Sequence, residues 1–224
     1  MKQDYVQTIY NEKVRPKTSY PKKLTKYLID RFRIPGGSLL LDVGCGRGDF
    51  TLGFKENGLE VEGLDSSDFS VSELGRSGIR VSKIDFSRNR WPFSDNSFDV
   101  VFSKSVIEHL PNPENFICES YRILRPGGRI ITMTPDWKTG LRIFYDDYTH
   151  VHPYTTAGLR DLLLLFSFRQ VSSEQFYQLP VIWKLPFLKI ISWVLRRIMY
   201  PSSDINIKFI RWSLDLMVLG SGIK

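Results

Sequence analysis

Apolar positions along this chain fall into short blocks separated by glycine- and proline-rich breaks, and the spacing inside each block predicts its element. Leu24, Tyr27, Leu28 and Phe32 recur at helical intervals, predicting a helix over 21–32 that ends at Pro35-Gly36-Gly37; residues 1–15 show no period and read as irregular. Leu39 to Val43, Leu59 to Leu64, Ile79 to Ile84 and Phe98 to Phe102 are compact apolar runs bounded by turn residues, the signature of strands buried on both faces. Helical patterns between them, over 47–57 and 114–124, give an alternating strand and helix rhythm, hence a mostly parallel sheet. Further along, Pro126-Gly127-Gly128 predicts a stop before a fifth strand at 129–133. A polar and aromatic loop over 136–153, a helix over 155–166 and a sixth strand over 168–177 follow.

The first strand runs directly into three glycines at alternate positions, Gly44, Gly46 and Gly48, with Asp42 closing the strand. Glycine lacks Cβ, so this turn can bring its backbone against a ligand, while the next helix offers unpaired N–H groups. The spacing G-x-G-x-G differs from the dinucleotide fingerprint. Asp65 ends the second strand, 17 residues after Gly48, where a carboxylate can accept both ribose hydroxyls; Asp85 and Phe86 end the third, an acid and an aromatic suited to the edge and face of adenine. Ser103 lies at the carboxyl end of the fourth strand, where open α/β sheets bind ligands. A nucleoside cofactor site is expected from these strand ends.

The series LDVGCGRG, GLDSS, DFSRNRWPFSDNSFDVVFSKSVIEHLPNP and RILRPGGRIITMTP resembles the class I S-adenosylmethionine-dependent methyltransferases of the broad type 11 group, over roughly residues 39–171. The resemblance implies S-adenosylmethionine as cofactor, held by Asp42, Gly44, Gly46, Gly48, Asp65, Ser66, Asp85, Phe86 and Ser103. It also implies a Rossmann-like, doubly wound α/β fold of seven strands, with an antiparallel last strand read at 214–223. In such proteins the N-terminal helix packs beside the cofactor cleft, with Tyr20 as a candidate cover. The resemblance says little about the methyl acceptor.

On that frame, residues 1–38 form an N-terminal extension, 39–178 and 208–224 the core, and 179–207 an insertion between strands six and seven. Charge sharpens the division. The first 38 residues carry nine Lys and Arg against three Asp and Glu, residues 39–175 fifteen against nineteen, and residues 176–224 seven against two. Basic ends suit an anionic membrane, a phosphate-bearing substrate or nucleic acid. The insertion is apolar and aromatic, with Trp183, Phe187 and Trp193, but Lys184, Lys189, Arg196, Arg197 and two prolines interrupt it. It is too short and charged to span a bilayer, and fits the membrane interface; a helical lid or a contact between copies of the chain is the plainer reading. Two cysteines give no disulfide framework, and the polar N-terminus shows no secretory segment, so a cytoplasmic protein, peripheral at the inner face of the membrane, is expected.

Methyl transfer from a sulfonium is a displacement at an already activated carbon, so a protein chiefly aligns the partners and excludes water. An oxygen acceptor also wants a base. All three histidines, His109, His150 and His152, fall in loops after strands four and five. His150 is the candidate base, with Asp147, or Asp146, to orient it; SVIEHL is common in the family, so His109 is assigned to the cofactor side or to structure. Asp, His and His in one short run rarely supply metal geometry, and no metal is expected. An amino-methylating nucleic-acid enzyme would carry an Asn/Asp-Pro-Pro-aromatic motif where Ser103-Lys104-Ser105-Val106 stands, and neither Cys45 nor Cys118 is placed as a nucleophile. The reading is therefore O-methylation of a small-molecule, sugar or lipid-linked acceptor, against an RNA or other nucleic-acid methyltransferase or a non-catalytic cofactor-binding module.

Overall fold

A computed structural model of the chain describes residues 4–9, 12–13, 15–202 and 205–224. Helix α1 spans Tyr5–Ile9 and α2 Tyr20–Phe32; β1 (Leu39–Val43), α3 (Asp49–Glu56), β2 (Glu60–Asp65), α4 (Asp68–Arg76) and β3 (Val81–Lys83) follow. Then come β4 (Phe98–Lys104), a 3-10 turn at Ile107–His109, α5 (Pro113–Ile123), β5 (Leu124–Pro135) and α6 (Trp137–Gly140). Past a second 3-10 turn at Phe144–Asp146, the chain continues through α7 (Thr156–Leu165), β6 (Arg169–Phe176), α8 (Pro180–Lys184), a 3-10 turn at Pro186–Leu188, α9 (Lys189–Ile198), α10 (Lys208–Leu214) and β7 (Met217–Ile223). The seven strands form one sheet in the order β3-β2-β1-β4-β5-β7-β6. Its first half is parallel: Val43 lies beside Leu64, Asp42 beside Phe102 and Asp65 beside Lys83. The expected doubly wound sheet with an antiparallel last strand is present.

Two compact units make up the chain, one of Met1–Ser103, Asn112–Ile130 and Ile223–Lys224, the other of Lys104–Pro111 and Ile131–Gly222. The first is built on β1, whose Leu40, Leu41 and Val43 are fully buried, and on Phe54 and Phe102, which meet edge to face at 4.9 Å. Its Trp91-Pro92-Phe93 loop is tied down by a half-buried ion pair: Glu119 accepts from the Trp91 N–H at 2.6 Å and from Arg122 at 2.7 Å, and Arg122 also donates to the Phe93 carbonyl at 2.8 Å. In the second unit Leu159 and Leu163 of α7 are fully buried, and α7 lies along β6.

Several elements depart from the pattern-based reading. Part of 1–15 is helical, α1, while residues 1–3, 10, 11 and 14 of that segment lie outside the described residues. Pro126-Gly127-Gly128 does not precede the fifth strand but lies inside it, because Gly127 donates to the Lys224 carbonyl at 3.1 Å and Lys224 donates back to Gly128 at 3.0 Å, an antiparallel pairing that no local pattern reveals. The loop over 136–153 contains α6 and a 3-10 turn. Residues 208–214 form α10, so the last strand starts at Met217 rather than at Leu214.

Candidate functional site

At the carboxyl end of β1, Gly44, Gly46 and Gly48 all adopt positive φ, at 71°, 53° and 85°. The turn is fixed by backbone bonds, Gly44 N–H to Leu64 O at 2.7 Å and Gly48 N–H to Cys45 O at 2.9 Å. Gly48 is also closed by packing, since a Cβ there would stand 2.1 Å from Cδ2 of Leu74. Cys45 is folded inward against Gly63, where a Cβ would lie 2.9 Å from its Sγ, and burial pushes its thiol pKa up, which disqualifies it as a nucleophile.

The acids around this turn do different things. Asp42 is buried and accepts from Thr51 Oγ1 at 2.6 Å, so it braces α3 from beneath; burial raises its pKa to about 7. Asp65 accepts the Gly46 N–H at 2.7 Å on one oxygen and the Ser67 N–H at 2.9 Å on the other, with its pKa raised by burial. Ser66 beside it is exposed. Asp85 is exposed, accepting from the Ser87 hydroxyl at 2.5 Å, and the carbonyl of half-buried Phe86 accepts from Trp91 Nε1 at 3.1 Å. Ser103 is buried at the end of β4. The N-terminal segment reaches the same turn: Ser67 Oγ donates to Asp4 at 2.6 Å, and Val6 Cγ1 lies 3.9 Å from where a Cβ of Gly46 would stand.

In the second unit, a different set of groups converges. The N–H groups of Val151 and His152 bond the Glu108 carbonyl at 2.8 and 3.0 Å, pinning the loop after β5 to the 3-10 turn after β4. This brings His150 against His109, ring centroids 4.7 Å apart, over Glu108. Glu108 is fully buried; Thr134 Oγ1 donates to its Oε2 at 3.0 Å, its Oε1 has no partner, and burial lifts its pKa to about 7. Burial, then the neighbouring His150, holds His109 below the usual imidazole range. Tyr154, whose buried hydroxyl also lacks a partner, feels the Glu108 charge.

Asp147 is tied into its own loop at Thr149. Its Oδ1 accepts the Thr149 N–H at 3.0 Å and hydroxyl at 2.6 Å, and Thr149 Oγ1 in turn bonds His109 Nδ1 at 2.8 Å. His150 Nδ1 instead meets the Phe144 carbonyl at 2.5 Å, and His152 Nδ1 the Leu110 carbonyl at 2.8 Å. Glu108 escaped the sequence reading; its one signal is an acid immediately before His109 in an otherwise apolar turn.

The insertion, whose residues 203 and 204 lie outside the described residues, presents Phe187, Ile190, Ile191, Trp193, Val194 and Ile198 to solvent. Trp183 is not among them: its Nε1 donates to the Tyr177 carbonyl at 2.7 Å and its ring packs on Phe176. Arg196 is likewise committed, to the Ser213 carbonyl at 2.9 Å and the Tyr177 hydroxyl at 3.0 Å. Among the described residues no helix is long and apolar enough to cross a membrane.

This sheet and strand order are those of class I methyltransferases. A family model described as a methyltransferase domain matches residues 41–132, which contain the glycine turn, Asp65, Asp85, Ser103 and Glu108 but stop short of His150. An uncharacterized methyltransferase of Mycobacterium sp. (strain JLS) is 35% identical over 105 residues, 46% of this chain and 41% of that protein. A ubiquinone biosynthesis O-methyltransferase of Azoarcus sp. (strain BH72) is 32% identical over 103 residues, 44% of each. The crystal structure of a SAM dependent methyltransferase from Archaeoglobus fulgidus shares the fold, with a TM-score of 0.68 at 23% identity over 99% of this chain and 100% of that one. The chain spans about half the length of the curated relatives it matches. Residues 41–132 thus match a methyltransferase domain, within a fold shared with class I methyltransferases.

Proposed function

We propose that the chain is an S-adenosylmethionine-dependent methyltransferase acting on a hydroxyl of a small-molecule, sugar-linked or lipid-linked acceptor. The observation that carries the first half is the glycine turn locked to a buried carboxylate by the Gly46 to Asp65 bond. Its residues fit the cofactor's nucleoside: backbone N–H groups line the turn, and the buried Asp65 would accept ribose hydroxyls. Asp85 and Phe86 meet the adenine, Ser66 and Ser103 contribute from the ends of β2 and β4, and Asp42 acts indirectly, holding the turn through Thr51. When bound, the cofactor would supply a methyl group activated on a sulfonium: the acceptor oxygen would bond to that carbon, the thioether would leave with the C–S bonding pair, and the acceptor's proton would be lost.

On the acceptor side His150 assists departure of that proton, and Asp147 is a positioning residue acting through Thr149 on His109. The match to an O-methyltransferase of ubiquinone biosynthesis supports an oxygen on a lipophilic acceptor. So does the exposed apolar face of α9: we place it on an anionic membrane, with Phe187, Ile190, Trp193 and Ile198 as anchors and Lys184, Lys189 and Arg197 at headgroup level. Each such cation supplies about 1 kcal/mol near an anionic surface, enough in sum for reversible attachment only.

Incubation with methyl-labelled cofactor and separate lipid, sugar and RNA extracts tests the reading. Label entering a lipid or sugar fraction is expected, and label confined to RNA would overturn it in favour of nucleic acid. Co-sedimentation with anionic liposomes should fall steeply with salt; equal binding to neutral liposomes, or none to either, would return α9 to a lid or a contact between copies.

A further inference from the structure

Glu108 Oε1 is buried with no hydrogen-bond partner among the described residues, and the rings of His109 and His150 lie beside it. The Phe144 carbonyl can only accept, so His150 Nδ1 carries the proton of that bond and the ring's lone pair sits on Nε2. The Thr149 hydroxyl gives its one proton to Asp147, so Thr149 Oγ1 accepts from His109 Nδ1, and the lone pair of that ring is also on Nε2. Glu108 receives one donor at Oε2 and none at Oε1, which is fully buried. Two imidazoles and a carboxylate thus meet, one ligand atom of each within 4.8 Å of the others.

Lone pairs that face one another repel, and a buried carboxylate oxygen with no partner is costly. One positive centre among the three relieves both. A proton can bridge only two acceptors, whereas a cation takes all three. We infer that Glu108, His109 and His150 bind a divalent first-row transition ion. Two imidazole nitrogens with one carboxylate oxygen suit zinc, cobalt, manganese or iron, and not magnesium or calcium, which take oxygen ligands. The surroundings are those of a metal centre: each histidine has its Nδ1 side tied, to a carbonyl or to the Thr149–Asp147 pair, and Glu108 is held by Thr134. Both rings are only half-buried, so a coordination position stays open on the solvent side. His152 takes no part, its ring being turned to Leu110.

The site does not depend on the methyltransferase reading, but its role does. Within that reading the open position takes the acceptor hydroxyl, whose proton passes to solvent more readily once the oxygen is bound to a cation. His150 then acts on the acceptor through the ion rather than by taking its proton directly.

The chain has three histidines, so an untagged, chelator-stripped preparation has few competing ligands. Titrated with Co²⁺, it should bind one equivalent and develop visible absorption bands, and Mg²⁺ in excess should not displace the ion. Glu108→Gln and His150→Gln should each weaken Co²⁺ binding at least about tenfold, with the melting curve and binding of S-adenosylhomocysteine unchanged, while His152→Gln should bind Co²⁺ as the parent does. Absence of a one-to-one Co²⁺ complex, or equal affinity in the Glu108 and His150 variants, would overturn the site. Co²⁺ bound with no methyl transfer to any acceptor would leave the site standing and sink the function proposed above; full methyl transfer by a stripped protein that binds no Co²⁺ would do the reverse.

Discussion

Around Gly44 to Gly48 the groups offered to a ligand are mostly backbone atoms, made available by three positive φ angles in a stretch of five residues. Around Glu108 and His150 they are side-chain atoms from segments about forty residues apart, made available by two backbone bonds between loops. The first arrangement follows from local chemistry and needs the sheet only for support. The second exists only when two loops meet, and each member is one truncation from loss. A backbone site should therefore degrade by degrees when a neighbouring side chain is changed, and a side-chain site should fail outright.

The largest expected effect tests that contrast on its fragile side. His150→Ala should lower turnover about 10²-fold with cofactor affinity unchanged, measured by steady-state kinetics beside calorimetry. Turnover within a few-fold of the parent would put His150 among structural residues. On the robust side, Asp65→Ala should weaken cofactor binding by about 1.5–3 kcal/mol, the size of the charge-assisted bonds removed, while the fold survives on its remaining backbone bonds. Unchanged affinity would remove Asp65 from the ribose.

Asp42 offers a third test, through stability. Its folded pKa of about 7 lies above the ordinary 3.8, so between those values the folded state holds a proton that the unfolded state has released, and stability falls as pH rises through that window. Asp42→Asn should flatten this slope, which is worth on the order of 1–4 kcal/mol across the window, and chemical denaturation at pH 4.5, 6 and 7.5 would show it. An unaltered slope would mean that Asp42 ionises freely. The smallest effect is assigned to Asp147→Asn, which keeps an acceptor for Thr149 but removes the charge behind His109. Turnover should fall less than about tenfold with KM unchanged, since only the orientation of a neighbour is loosened.

The same contrast decides what could be read in the sequence. The apolar runs of β1 and β4 are broken only by Asp42 and Asp99 up to Phe102, and α2 has a clean helical stripe, so the hydrophobic pattern alone locates them. The start of β5 was hidden because proline and two glycines signal a stop, and only the reciprocal bonds with Lys224 make them strand. Five-residue α1 is too short to show a period. Asp65 stood out because strand ends in a parallel sheet are informative positions. His150 stands out as a titratable group in a loop, but the carbonyl of Phe144, six residues back, that meets its Nδ1 and the glutamate from another loop that lies near it carry no local signal. Chain proximity is a poor guide to which groups a tertiary contact will pair.

The turn at Gly48 carries a consequence for how such sequences can diverge. A smaller residue at 74 would remove the 2.1 Å collision, yet the φ of 85° would still oppose any L side chain, so no single compensating change opens the position. Gly63 is different: no left-handed backbone constrains it, and Cys45 and Val81 stand nearest, at 2.9 and 3.1 Å. Trimming those neighbours would admit a side chain there. In a population of drifting sequences, occupancy of position 63 would depend on the genetic background, whereas position 48 would remain glycine in every one.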